Sequence, residues 1–299
     1  MLGLDPDPAA LWPVALEGEG TAARGGPVAE RGGPVAERGE PAAVSAARAV
    51  ARHCAAAIDA AGPACVAVKL QLACFERLGA PGWAALEAVR DDARAAGLLV
   101  IADAKRGDVP VTAKAYAQAL VGSTPTPFGP VGGFAADALT ANPLLGRDSL
   151  DPLIDAARAG GAGVFVLVNT SNPGASDLQD LDTQGAPLYE RLAQMVDAAG
   201  QGHVGDCGLS LVGAVTGATR PERLARLRGL MPRAIFLLPG VGAQGGAPAA
   251  LAPAFTPHPA AGLVTASRSI VDAHQVRGGE PAAAAAGSAQ ELRALTWNQ

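Results

Sequence analysis

Asp103, Lys105 and Asp108 stand in the order D-x-K-x-x-D directly after the apolar run Leu98 to Ala102, and a further ammonium, Lys69, ends the preceding apolar run. Carboxylates and ammonium groups at the ends of buried strands can bring fixed charge and a movable proton to one bound molecule. The lysines are unusual by count. The chain has 20 arginines but three lysines, Lys69, Lys105 and Lys114, and two of the three fall at these apolar run ends. Arginine does not release a proton near neutral pH, whereas a partly desolvated lysine can. Proton transfer therefore explains the retained lysines better than positive charge alone; two structural ion pairs are the bland alternative.

A second group of residues suits a phosphate. Pro239-Gly-Val-Gly-Ala-Gln-Gly-Gly246 follows one late apolar run and Ser267-Arg268 follows the next. Backbone N–H groups of a glycine-rich turn together with a guanidinium fork make an anion cradle. Asn142 and the stretch Asn169 to Gly174 add polar side chains after two intermediate runs.

These residues converge only if the elements bearing them are parallel. Val/Leu/Ile-rich runs predict strands at Leu2 to Asp5, Cys65 to Leu70, Leu98 to Asp103, Ala138 to Ala141, Val164 to Val168, Leu209 to Val215, Ala234 to Leu238 and Gly262 to Ala266. Helical periodicity predicts helices between them, such as Ser45 to Ala61, Trp83 to Ala96, Thr112 to Val121, Leu188 to Ala199 and Pro221 to Arg228. Eight doubly buried strands alternating with helices indicate an α/β (β/α)8 TIM barrel in a single domain spanning residues 1–299, with a doubly wound open sheet as the alternative. In a barrel every strand end lies on one rim, so residues far apart in sequence meet there.

Composition limits the partner. The chain has 299 residues, of which 49% are hydrophobic and 4% aromatic, a formal net charge of −5 and no Lys/Arg run. Nucleic acid and an anionic membrane surface are disfavoured, and a small-molecule substrate is expected. No apolar run approaches the roughly 18 residues of a membrane helix. Cys54, Cys65, Cys74 and Cys207 form no C-x-x-C pair, and no basic segment precedes an apolar signal core, which points to a reduced, cytoplasmic protein. His53, His203, His258 and His274 lack metal-ligand spacing, so no metal site is expected. The tandem copies of RGGPVAE within Arg24 to Glu40 predict a flexible Gly/Pro-rich insertion over 18–42.

Taken together, Asp103-x-Lys105-x-x-Asp108, Lys69 on the preceding strand, Thr170-Ser-Asn-Pro-Gly174, the Pro239 glycine cluster and Arg268 closely resemble orotidine 5′-phosphate decarboxylase, in particular its longer bacterial subfamily. The motifs occur in the expected order from Asp5 to Arg268. The resemblance implies a decarboxylation to UMP and carbon dioxide in pyrimidine biosynthesis, without cofactor, in a homodimer with shared sites. It implies Lys105 as the donor of a proton to carbon 6 of the pyrimidine, Asp103 against the substrate carboxylate, and Lys69 bridging that aspartate and the ribose. Asp5 is then expected on a ribose hydroxyl, Asp108 on the ribose of the neighbouring subunit, Ser171 on the pyrimidine amide, and Gln244 and Arg268 on the phosphate. Thr112, Asn142, Gly245 and Ser267 complete the substrate-binding set. A related sugar-phosphate decarboxylase or epimerase, and a catalytically silent barrel that binds a phosphorylated ligand, are the alternatives. With only three residues after Met1 before Asp5, the first strand is expected to be short and the true start to lie upstream.

Overall fold

Runs of Val, Leu, Ile and Ala that alternate between two apolar environments can be satisfied only as strands covered on both faces. The structure, a computed structural model, describes residues 1–17, 41–241 and 248–297. It contains eight such strands: β1 (Leu2–Leu4), β2 (Ala67–Gln71), β3 (Leu99–Arg106), β4 (Ala138–Ala141), β5 (Gly163–Asn169), β6 (Ser210–Thr216), β7 (Ala234–Leu238) and β8 (Gly262–Val264). Each pairs in parallel with its successor, in one eight-stranded sheet. The sheet's edges meet at a parallel bridge between Leu2 and Ala266, where the Gly3 N–H donates to the Ala266 carbonyl at 2.9 Å. Consecutive order and closure exclude the doubly wound alternative, in which the strand order reverses.

One set of strand residues, among them Val68, Val100, Leu139, Val166, Val212 and Phe236, packs outward in the main core. The alternate set points inward, and Ala67, Ile101, Ala138, Phe165, Val215 and Leu237 fill the lumen as a separate apolar cluster. Two residues further along the same strands, the inward positions become Lys69, Asp103 and Thr140. The period-2 geometry of a strand thus carries the lumen from apolar to charged at its C-terminal end.

The expected helices appear as α1 (Ala42–Ala61), α2 (Ala80–Ala95), α3 (Pro110–Leu120), α5 (Leu188–Gly200) and α6 (Leu224–Leu230), the last preceded by a 3-10 turn at Pro221–Arg223. The spans Trp83 to Ala96 and Thr112 to Val121 begin too late, because proline at the first or second helical position lets α2 and α3 start earlier. Two further long helices, α4 (Arg147–Gly160) and α7 (Pro281–Trp297), follow β4 and β8 in the expected alternation, although the sequence reading sets no bounds for them. The first buries Leu150, Leu153, Ile154 and Ala157 on one stripe and ends at Gly161, whose φ of 70° is the left-handed cap that glycine adopts readily. Its internal Pro152 breaks the local helix signal.

Ala42 belongs to α1, so the insertion expected over 18–42 stops short of that residue; the repeat itself lies outside the described residues. In the described segment that precedes it in sequence, the Trp12 N–H donates to His53 Nδ1 at 3.1 Å and the Trp12 indole N–H to the Val271 carbonyl at 3.1 Å. This ties the segment after β1 to α1 and to the last part of the chain. Burial pushes His53 down to about 4, so the imidazole is a neutral acceptor.

Candidate active site

A cavity of about 530 Å³ opens at the C-terminal ends of the strands. Of the residues singled out from sequence, Asp5, Lys69, Asp103, Lys105, Ser171, Ser267 and Arg268 all line it. A larger cavity of about 1050 Å³ lies at the opposite end of the lumen. Its walls are mainly apolar, and its carboxylate, Asp137, is taken by the Val100 N–H at 2.7 Å. Chemistry therefore points to the smaller cavity.

At its floor, Asp103 lies between two ammonium groups: Lys69 Nζ donates to Asp103 Oδ2 at 2.6 Å and Lys105 Nζ to Asp103 Oδ1 at 2.6 Å. Lys69 also reaches Asp5 Oδ1 at 3.4 Å, and Gln71 Nε2 donates to Asp103 Oδ2 at 3.3 Å. Burial alone would raise the Asp103 carboxyl, but the neighbouring Lys69 and Lys105 charges and their hydrogen bonds hold it down to about 2. Desolvation opposes the charge on Lys69, yet the Asp103 and Asp5 carboxylates outweigh it and raise the ammonium above its ordinary value. The result is a string of alternating charges in which Asp103 and Lys69 hold each other in the ionised form.

The backbone supports this arrangement. The register between β3 and β4 shifts between Ala102 and Arg106, and within that irregularity Lys105 takes a φ of 48°. Its N–H donates to Thr140 Oγ1 at 2.8 Å, and the Thr140 hydroxyl donates to Asp103 Oδ1 at 2.9 Å. Lys105 leaves the wall of the lumen with 44% of its side chain exposed, against 8% for Lys69. Lys69 is thus a fixed charge, and Lys105 is the ammonium that can reach a ligand.

On the far side, Ser171 lies in the connection after β5. Gly217, just past the end of β6, makes room for it: a Cβ there would stand 3.0 Å from the Ser171 nitrogen. At the seam, a Cβ on Gly3 would come within 2.0 Å of Ser267 Oγ, so glycine in β1 lets Ser267 reach the cavity. Arg268 follows at the head of a short helix (Arg268–Val271), is exposed, and has no ion pair among the described residues. Gly240 and Val241 line the cavity where the glycine cluster begins; Gln244 and Gly245 lie outside the described residues.

Asp108, Thr112 and Asn142 do not line the cavity. Asp108 Oδ1 accepts the Val109 N–H at 2.8 Å ahead of α3, and Thr112 lies in the first turn of that helix. Asn142 Oδ1 accepts the Leu144 N–H at 3.0 Å and so closes a turn. Conversely, Gln71, Thr140 and Gln179 border the charged groups or the Ser171 loop and were not anticipated. The first two are legible in retrospect, since each lies on the inward register of its strand. Among the described residues no group of three His, Cys, Asp or Glu side chains is placed to hold a metal ion.

The family model described as orotidine 5′-phosphate decarboxylase / HUMPS matches residues 42–283. The chain belongs to this family. It is 44% identical over 231 residues, or 77% of the chain and 76% of the relative, to the orotidine 5′-phosphate decarboxylase of Rhodopirellula baltica. It is 47% identical over 214 residues, 71% of the chain and 74% of the relative, to that of Deinococcus radiodurans. Among solved structures, the Leishmania donovani OMP decarboxylase superposes with a TM-score of 0.65 at 34% identity, covering 84% of this chain and 89% of that one. The matched span contains the Lys69, Asp103 and Lys105 string, the Ser171 loop and Arg268. Asp5 and β1 precede it, and they join it through the Lys69–Asp5 contact.

Proposed function

We propose that the chain decarboxylates orotidine 5′-phosphate to UMP and carbon dioxide, a reaction of pyrimidine biosynthesis. The observation that carries this reading is Asp103 held at 2.6 Å by both Lys69 and Lys105. Loss of carbon dioxide from carbon 6 leaves a localised carbanion, and fixed charges that need no reorganisation are what stabilise such an ion. The substrate carboxylate lies against Asp103, an unfavourable neighbour that is relieved as carbon dioxide leaves. The Lys105 ammonium faces the developing lone pair and passes a proton from Nζ to carbon 6. Lys69 keeps Asp103 ionised and, with Asp5, meets the ribose hydroxyls. Ser171 reads the pyrimidine amide, and Arg268, Ser267 and the glycine cluster with Gln244 and Gly245 take the phosphate.

The working form in this proposal is a cytoplasmic homodimer whose sites are shared. Asp108 lies outside its own cavity, and the connections after β3 and β4 expose Val109, Val111, Phe128 and Leu144. Such apolar side chains suit an interface more than solvent. Asp108, with Thr112 and Asn142 from the same connections, then serves the ribose site of the partner.

The deciding experiment is the loss of orotate absorbance when purified protein is mixed with orotidine 5′-phosphate without added metal or cofactor. Steady conversion to UMP supports the reading. Folded protein that binds UMP without turning over orotidine 5′-phosphate is a silent phosphate-ligand barrel instead.

A further inference from the structure

We propose that Gln179 is the positioning residue that holds the Ser171 loop in its ligand-reading conformation, and that Asp180 locks Gln179 in place through Arg220 and Arg223. The inference rests on the reading of Ser171 as the pyrimidine contact.

Gln179 ends a single helical turn (Ser176–Gln179) and turns its amide back under the loop. Its Oε1 accepts the Thr170 N–H at 2.9 Å and Asn169 Nδ2 at 3.2 Å, while its Nε2 donates to Thr170 Oγ1 at 2.8 Å. Thr170 Oγ1 in turn donates to Asn172 Oδ1 at 2.7 Å. Both ends of the amide are used, so rotating it breaks every bond at once. The residues on either side of Ser171 are thereby fixed, whereas the Ser171 hydroxyl makes no hydrogen bond among the described residues and stays available to a ligand. From beneath, the Gly217 N–H donates to the Asn169 carbonyl at 2.6 Å, and the bare Gly217 backbone supports Ser171.

The next residue supplies the anchor. Asp180 accepts Arg220 Nη1 at 2.9 Å, and Arg223 Nη1 and Nη2 at 2.7 and 3.0 Å. The Arg223 guanidinium also stacks over the Tyr189 ring at 4.6 Å. Both arginines belong to the connection after β6, so the connections after β5 and β6 are joined at two levels: by backbone at Asn169–Gly217 and by charge at Asp180. A bidentate guanidinium–carboxylate pair has directional bonds that a loose surface ion pair lacks. Gln179 borders the cavity, but its hydrogen bonds all go to Asn169 and Thr170 and none to the charged floor or Arg268. Its effect is therefore confined to ligands that carry the ring.

The test compares wild type with Gln179→Ala and Asp180→Asn, titrating UMP and ribose 5-phosphate by calorimetry and measuring kcat and KM for orotidine 5′-phosphate. Losing these three uncharged hydrogen bonds corresponds to about a tenfold weakening with each taken at the low end of its usual worth. In Gln179→Ala the Kd for UMP and the KM therefore rise about tenfold, while kcat and the Kd for ribose 5-phosphate stay within about threefold. Asp180→Asn shifts the same two quantities in the same direction by less, and it carries the test if Gln179→Ala does not fold. Unchanged UMP binding in both variants, or equal losses for UMP and ribose 5-phosphate, overturns the inference. Wild-type protein that binds UMP without turnover overturns the functional reading alone, and wild-type protein that binds no UMP overturns both.

Discussion

Thr140 and Lys105 are coupled through backbone and side chain together: the Thr140 hydroxyl accepts the Lys105 N–H at 2.8 Å and donates to Asp103 Oδ1 at 2.9 Å. One buried hydroxyl thus holds both the left-handed backbone of the lysine and the carboxylate that its ammonium meets. A non-glycine residue at φ 48° costs about 1 kcal/mol or more and persists only where its surroundings over-determine it. Here the hydroxyl and the Asp103 salt bridge do so.

Lys105→Ala should lower turnover of orotidine 5′-phosphate by at least about 10³-fold, the combined loss of electrostatic stabilisation and general-acid catalysis. UMP binding should weaken far less. Lys105→Gly should be as inactive but more stable than Lys105→Ala by about 1 kcal/mol, because glycine accepts the positive φ. Steady-state kinetics with urea unfolding checks both halves. A Lys105→Ala protein keeping over a tenth of wild-type turnover removes the lysine from the reaction.

Asp103 makes stability depend on pH in a defined direction. Its carboxyl is lowered from 3.8 to about 2 in the folded state. A lowered carboxylate contributes stability that is fully present above its unfolded value and lost as the pH falls through the folded one. For this shift the contribution is about 2 kcal/mol. Asp103→Asn should therefore unfold at lower urea than wild type at pH 7, with the gap narrowing between pH 4 and pH 2. A gap that stays constant over that range would mean the carboxylate is not held by Lys69 and Lys105.

Arg268→Ala should reduce kcat/KM for orotidine 5′-phosphate by about 10²-fold while barely changing it for the nucleoside lacking the phosphate. The contact that is lost does not exist with the shorter substrate. Parallel measurements on the two substrates separate a phosphate role from a structural one, for which both constants fall together.

The strands and the charged string are legible in sequence for the same physical reason. A doubly buried strand must be apolar throughout, so a charged residue at its end marks the place where the lumen opens. Ala138–Ala141 and Ala234–Leu238 match their expected bounds because the residues flanking them are polar or glycine and proline. β3 runs on to Arg106, past the expected Asp103, because its irregular pairing with β4 keeps the charged segment in the sheet. Thr140 and Gln179 are harder to see. A threonine within an apolar run looks like packing, and the three bonds of Gln179 depend on a chain reversal over ten residues. The bounds of α4 are blurred in sequence by Pro152, whose local cost is outweighed by burial of Leu150, Leu153 and Ile154.

Asp108 offers the sharpest test of a shared site. It lies beyond its own cavity while its sequence neighbour Lys105 lies within, so in a two-fold dimer each site would combine Lys105 of one chain with Asp108 of the other. Two nearly inactive variants, Lys105→Ala and Asp108→Ala, are mixed in equal amounts, unfolded and refolded together. Random pairing makes about half of the dimers mixed, and in each of these one site has both residues intact while the other lacks both. Activity should therefore return to about a quarter of the wild-type value. If Asp108 acts within its own chain, every site still lacks one residue and no activity returns. Mixed dimers demonstrated by native mass spectrometry, yet inactive, would assign Asp108 to its own subunit.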